Sequence, residues 1–294
     1  MSRKWIAIVN PRSGRNRNPA HLQQTLAELE PVAHRTVFTS HAGHAAEIAS
    51  ETQSYEGVVA VGGDGTLFEI LQGIDRRQQR IALVPSGRGN SLARDLGLLQ
   101  ARSISRIAHW DQAHSIDLME VRVTAQNGSE TTCFSASTVA LGYPATVAVH
   151  ARHLSRLGKM SYAVASAILV PQPFAARVQY GTASPADVSL TGFVANNTRH
   201  VANFLVFPNA SFCDGYFEVM EMRSGYLKQT LHNISAFSRT CFYEPCYVTR
   251  VLSAQLTLHS PQTLLIDGEI LSNVIALNIR ILPRALACNG PKAQ

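Results

Sequence analysis

Lysine is scarce in this 294-residue chain: four lysines stand beside 22 arginines, within a formal net charge of +6. The positive charge is therefore almost all guanidinium, which pairs bidentately with phosphate and carboxylate and favours phosphate-bearing partners. Basicity alone would equally suit nucleic acid or an anionic membrane surface, but no nucleic-acid partner is expected. Cysteine is sparse too. Cys133, Cys213, Cys241, Cys246 and Cys288 include no CxxC spacing, which argues against a zinc site. Their odd number and scatter argue against a disulfide framework, so a reducing cytoplasm is expected and each is read as a small buried hydrophobe. Long apolar runs are missing. The longest, Ala163 to Val170, ends at Pro171, well short of the roughly 20 residues a spanning helix needs. Lys4 leads directly into Trp5–Val9, too short for the core of a secretory signal. A soluble or peripheral protein is expected. Also absent are the P-loop G-x-x-x-x-G-K-[ST], the H-R-D and D-F-G set of protein kinases, H-E-x-x-H and G-x-S-x-G.

The chain does have ample apolar content, 46% against 16% charged residues, and length enough for two cores. Its first half alternates strand and helix signals. Trp5–Val9, Thr36–Thr39, Gly57–Val61 and Ile81–Val84 read as strands. Pro19–Leu29, His44–Thr52, Leu67–Ile74 and Asn90–Leu96 read as helices. That alternation predicts a mostly parallel sheet with helices on its faces. Past residue 115 the texture becomes short, β-rich and turn-punctuated, in Leu118–Thr124, Arg177–Tyr180, Asp187–Ala195, Asn203–Phe207, Tyr216–Glu221, Tyr247–Leu252, Gln255–His259, Thr263–Ile266 and Val274–Ile281. An antiparallel sandwich or barrel follows. Helical stretches interrupt it at about Tyr143–Val170, with a break near Gly158, and at about Tyr226–Ser238. The boundary falls between domains 1–122 and 123–294, with room for the last segment to return to the first.

Three glycine-rich turns each follow a predicted strand and open a helix: Asn10-Pro11-Arg12-Ser13-Gly14, Gly62-Gly63-Asp64-Gly65-Thr66 and Pro85-Ser86-Gly87-Arg88-Gly89-Asn90. In an open α/β sheet all three lie at the carboxyl edge, where ligands bind. Glycine lets backbone approach a phosphate, and a helix N-terminus offers free N–H groups. Taken alone the first turn needs no ligand, and Thr66-x-x-Glu69 could be a capping box. Three glycines around an aspartate after an apolar strand exceed what a turn requires. An acid at Asp64 tolerates a polyphosphate only if Mg²⁺ bridges them or the acid accepts a proton.

Val61-Gly62-Gly63-Asp64-Gly65-Thr66-Leu67 resembles the signature of the diacylglycerol kinase catalytic-domain family, which includes sphingosine, ceramide and bacterial lipid kinases; NAD kinases and phosphofructokinases have similar turns. Asn10-Pro11-x-Ser13-Gly14 is similar to that family's first nucleotide motif, and Thr39 stands four residues before Gly43-His44-Ala45 as its adenine-side threonine does. Pro85-x-Gly87-x-Gly89-Asn90-x-Leu92-Ala93-Arg94, Pro208-Asn209-Ala210 with Asp214–Val219, and Ile266-Asp267-Gly268-Glu269 resemble further family motifs. The resemblance implies a phosphofructokinase-like α/β domain, a C-terminal β-sandwich, and ATP and Mg²⁺ in the cleft between them. It carries nucleotide contacts to Asn10, Pro11, Arg12, Ser13, Gly14, Thr39, Gly62, Gly63, Asp64, Gly65, Thr66, Leu67, Phe68, Glu69 and Arg88. It assigns a structural Mg²⁺ to Asp214 with the carbonyls of Ser211 and Tyr216, and the acceptor hydroxyl to Glu269 as base, with Asp267 and Asp64 as rivals. Without the resemblance, Asp267-Gly268 reads as a type I′ hairpin turn.

Four positions depart from the family pattern: Phe68 where asparagine is usual, Arg88 for a threonine or serine, Ser91 for an acid, and Cys213 for the first of two acids. Arg88 could clamp phosphate. His150, Arg152, His153, Arg156 and Lys159 precede the apolar Met160–Val170, which suits peripheral contact with anionic lipid at the inner membrane face, or a solvated helix face before a core helix. The reading is an ATP- and Mg²⁺-dependent kinase for a hydroxyl of diacylglycerol or a sphingoid base, able to form a homodimer. An NAD kinase-like enzyme and a non-catalytic nucleotide- or lipid-binding regulator are the alternatives.

Overall fold

The computed structural model describes residues 4–100, 113–154, 160–223 and 246–289. Its first sheet is built from β1 (Trp5–Val9), β2 (Arg35–Phe38), β3 (Gly57–Gly62) and β4 (Arg80–Pro85), all parallel in the order β2-β1-β3-β4. Every residue of β1 and β3 is buried, as uninterrupted apolar strands require when helices cover both faces. Those helices are α1 (Pro19–Leu29), α2 (His44–Ser50), α3 (Asp64–Gly73) and α4 (Ser91–Asp95). Helix α1 begins where the Asn18 side chain accepts from the N–H groups of Ala20 and His21, with proline in the first turn. Helix α3 starts three residues before the apolar pattern indicated. Gly63, not Thr66, is its N-cap.

The second half comprises β5 (Ala113–Ala125), β6 (Glu130–Ser135), β7 (Thr138–Gly142), α5 (Tyr143–His153), α6 (Ser161–Ile168), β8 (Phe174–Tyr180), β9 (Ala186–Leu190) and β10 (Gly192–Asn196). It continues through the two-residue strands β11 (His200–Val201) and β12 (Phe204–Leu205), then β13 (Phe217–Met222), β14 (Cys246–Val251), β15 (Ser253–Ile266) and β16 (Glu269–Asn289). The sheet runs β14-β13-β10-β7-β15-β16, with β5 paired to β16 and β6 to β5, and with β8 paired to β15 and β9 to β8. It folds over one core containing Met119, Leu141, Phe193, Phe217, Leu256 and Ile279. The expected architecture, an α/β domain with a β-sandwich, is the one found. No helix among the described residues is long and apolar enough to cross a membrane.

Several elements differ from expectation. Strands β6 and β7 are additional. Asp187–Ala195 is two strands turning at Thr191, while Gln255–His259 and Thr263–Ile266 are one strand whose register shifts between Thr257 and Leu264, around Pro261. The Tyr143–Val170 helix is interrupted, with Gly158 outside the described residues, as is all of Tyr226–Ser238. Residue 122 lies inside β5, so no linker separates the two halves there. Instead β16 crosses both: it pairs antiparallel with β15 and β5, then ends parallel to β4, with Ala287–Asn289 beside Arg80–Ala82.

Candidate active site

Three backbone turns at the carboxyl edge of the parallel strands are bonded to one another. Ser86 and Gly87 donate their N–H groups to Gly62 O at 2.8 and 3.2 Å, and Arg15 donates to Ser86 O at 2.8 Å. Asn10 donates its backbone N–H to Val61 O at 2.9 Å and its side-chain amide to Thr66 Oγ1 at 3.0 Å. Glycine is required by proximity. A Cβ on Gly87 would lie 2.4 Å from Gly63 Cα, and one on Gly14, whose φ is +34°, would lie 2.0 Å from Ser86 O. The first amide in the α3 ladder is Leu67 N–H, on Gly63 O at 3.1 Å. The amides ahead of it form the anion-favouring end of the helix.

Asp64 opens that helix. Its two oxygens accept from Asn90 N–H and Ser91 N–H, each at 2.8 Å, so the acid ties the second turn to the third. The residue keeps some surface exposure, but its carboxyl group is desolvated. Desolvation, with the negative charge of Asp267 second, raises its pKa to about 6 against the pull of those amides.

Asp267 and Gly268 form the two-residue turn joining β15 to β16, with φ of +45° and +102°. The purely structural reading of these residues is therefore correct as geometry, yet the hairpin tip reaches across to α3. Glu269 Oε1 lies 3.3 Å from where a Cβ on Gly65 would sit, and a Cβ on Gly268 would lie 3.7 Å from Gly65 N. Asp267 is buried, and its carboxylate accepts from Ala136 N (2.7 Å), Thr138 N (2.7 Å), Ser137 N (3.1 Å) and Ser137 Oγ (2.9 Å). Burial raises its pKa, and these donors oppose the shift. Glu269 differs. It accepts no hydrogen bond from the described residues, and its pKa is raised first by burial, with the Arg152 charge lowering it and Glu69 raising it. Of the three acids only Glu269 has both lone-pair sets free.

Other expected nucleotide contacts have structural roles in their side chains. Phe68 packs against the sandwich core, and Leu67 is buried in the first core. Glu69 does not close a capping box on Thr66: its Oε2 accepts Ala45 N–H at 3.0 Å and so caps α2. Thr39 is buried at the end of β2, where its N–H bonds Val9 O at 2.9 Å. Pro11, Arg12 and Ser13 lie on the first turn, Arg12 donating its N–H to Asn10 Oδ1 at 2.9 Å. Arg88 is exposed and has no partner among the described residues.

The turn carrying Ser211, Asp214 and Tyr216 is pinned from beneath by Asp117. This fully buried acid accepts Gly215 N–H at 2.6 Å and Arg284 N–H at 2.7 Å. Asp214 pairs with Arg250 at 2.5 Å and accepts Tyr216 N–H at 3.0 Å. Glu218 Oε2 nearby is buried with no hydrogen-bond partner, and its pKa is raised to about 7 by burial and then by Asp214. Both Asp214 oxygens are thus engaged, so Asp214 with the Ser211 and Tyr216 carbonyls would hold a divalent cation only by giving up Arg250, with the orphaned Glu218 oxygen nearby. Glu218 lay within the Asp214–Val219 motif without a role of its own, and the sequence showed no reason to single out Asp117 or Tyr162, whose phenol feels Arg152, Asp64 and Arg88. Arg152 was visible only within a basic stretch.

A glycine-lined amide cradle at the carboxyl edge of a parallel sheet, faced by acids from a β hairpin, is an arrangement suited to phosphoryl transfer. Residues 4–121 match the diacylglycerol kinase catalytic domain. Similar proteins include a diacylglycerol kinase of Bacillus subtilis (strain 168), 26% identical over 76% of this chain and 74% of its own. Another is the diacylglycerol kinase of Staphylococcus saprophyticus, 25% identical over 92% of this chain and 90% of its own. Kinases named for sphingoid bases and ceramide match shorter stretches. Among solved structures, a diacylglycerol kinase from Bacillus anthracis str. Sterne superposes with a TM-score of 0.77 at 18% identity, covering 98% of this chain and 97% of that one. The similarity to the diacylglycerol kinase catalytic domain is carried by residues 4–121, and with relatives that are lipid kinases along most of the chain the protein is a lipid kinase that transfers phosphate to a hydroxyl.

Proposed function

We propose that this protein uses ATP and Mg²⁺ to phosphorylate a hydroxyl of diacylglycerol or a related lipid presented at a membrane surface. The observation that carries the reading is the meeting of two parts: the amide cradle of the three turns, and the free carboxylate of Glu269 over Gly65. The first and second turns receive the phosphates through backbone N–H groups, with Arg12 and Arg88 free to clamp their oxygens. Thr39 and the Gly43–Ala45 turn bound the base. Glu269 accepts the proton of the acceptor hydroxyl as the hydroxyl oxygen bonds to the γ-phosphorus and the bond from that phosphorus to the bridging oxygen breaks, releasing ADP. Asp64 holds the third turn in place and, ionised, offers a carboxylate for the metal. When bound, Mg²⁺ neutralises charge that accumulates on the transferred group. The remaining work is positioning.

A peripheral contact is supported by exposed Met160, Ile168 and Val170 on and around α6, with Leu205 on β12, beside the basic end of α5. The test is incubation of the protein with labelled ATP and a mixed-micelle panel of diacylglycerol, sphingosine and ceramide, alongside NAD. Label is expected in a lipid and not in NAD. Folded protein that labels no lipid contradicts the proposal.

A further inference from the structure

The acceptor's headgroup extends beyond the reacting hydroxyl, and α5, packed against α6, brings Arg152 beside the hairpin tip that carries Glu269. Neither helix contains an acid: their sequences are YPATVAVHARH and SYAVASAI. The last turn of α5 carries His150, Arg152 and His153. Arg152 reaches the hairpin tip, its Nη2 lying 3.9 Å from where a Cβ on Gly268 would sit, next to Glu269. It is exposed and makes no hydrogen bond or ion pair with the described residues. Burial raises the pKa of both Glu269 and Tyr162, and the Arg152 charge opposes that rise in each. Three of the nearby acids already hold backbone: Asp64 bonds Asn90 and Ser91, Asp267 bonds Ala136–Thr138, and Glu69 bonds Ala45. Glu269 is left to face the hydroxyl.

We propose that Arg152 is a specificity-determining residue: a charge filter that admits neutral, ester-bearing acceptors and rejects those with an ammonium beside the reacting hydroxyl. The inference rests on the lipid-kinase reading and names the acceptor class within it. A sphingoid base carries a protonated primary amine on the carbon adjacent to its hydroxyl carbon. With the hydroxyl at Glu269, that ammonium lies within a few ångströms of the guanidinium, and like charges at such range in a half-screened site repel appreciably. A diacylglycerol instead offers an ester carbonyl there, which accepts from the guanidinium N–H groups. The discrimination is expected to be roughly tenfold to a hundredfold.

The experiment compares kcat/KM for dioleoylglycerol, sphingosine and N-acetylsphingosine at equal surface concentration in mixed micelles at pH 7, using wild type, R152Q and R152E, with ATP affinity measured on each. Wild type should prefer dioleoylglycerol over sphingosine at least tenfold, and N-acetylation, which removes the charge, should improve acceptance. R152E should move the ratio toward sphingosine at least tenfold, mainly through KM for lipid, with R152Q intermediate and ATP affinity unchanged. An unaltered ratio in folded R152E overturns the filter, as does equal loss on both lipids, which would make Arg152 a contributor to transfer itself. A wild type that labels no lipid brings down the kinase reading, and the filter with it.

Discussion

Asp64 and Glu269 are separated less by chemistry than by hydrogen bonding. Asp64 has a pKa raised to about 6 because burial and Asp267 outweigh two backbone donors. The folded state therefore holds its proton more tightly than the unfolded state. Folding therefore gains nothing from Asp64 at low pH and loses stability as pH rises from about 4 through about 6. Asp267, also raised, acts in the same direction. Replacing Asp64 with asparagine removes that titration, so the D64N urea midpoint in metal-free buffer should gain on wild type between pH 5 and pH 7.5. A difference independent of pH would contradict the desolvated setting described for Asp64. Such a cost suits the role proposed for Asp64, an ionised carboxylate offered to a metal beside a phosphate.

At the scale of elements, the site depends on backbone approaching backbone. Gly63 and Gly87 belong to different turns, and neither tolerates a Cβ without moving the other. G87A should lose about 1–3 kcal/mol of stability and weaken ATP binding tenfold or more by calorimetry, while G128A, in an open turn, leaves affinity intact. Unchanged affinity in G87A would mean the third turn does not shape the cradle. The turns were legible in the sequence because glycine after an apolar strand and before a helix is a local signal, and β1 and α1 were equally local. Strands β6 and β7 were not: ETTCFS and TVALG are strands through their pairing with β5, β10 and β15, which no short window contains. Thr66 and Glu69 show the reverse failure. Their spacing suits a capping box, but each found a partner across the fold, in Asn10 and Ala45. Arg152 belongs with them, because its approach to Gly268 exists only once the hairpin and α5 meet.

For the whole molecule, β16 is the part that joins fold to function. Its first residue is Glu269, its middle lies in the sandwich core, and its last residues complete the parallel sheet beside β4. Gln72 of α3 adds a second link, exchanging hydrogen bonds of 2.9 Å with both backbone groups of Phe134 on β6. The two halves should therefore unfold together. Urea curves followed by tryptophan fluorescence, to which the buried Trp5 reports on the first sheet, and by far-UV circular dichroism should coincide. Two separated transitions would show that the halves are independent and that the hairpin's position over α3 is not enforced.

In the proposed reaction Glu269 takes the proton of the acceptor hydroxyl while Asp267 holds the loop beneath it. The most direct measurement is kcat for phosphoryl transfer to lipid by E269Q, with thermal stability and ATP affinity taken on the same preparation. A fall of about 10² to 10⁴ in kcat is expected, with stability and ATP affinity near wild type. An E269Q protein within a few-fold of wild-type kcat would contradict it.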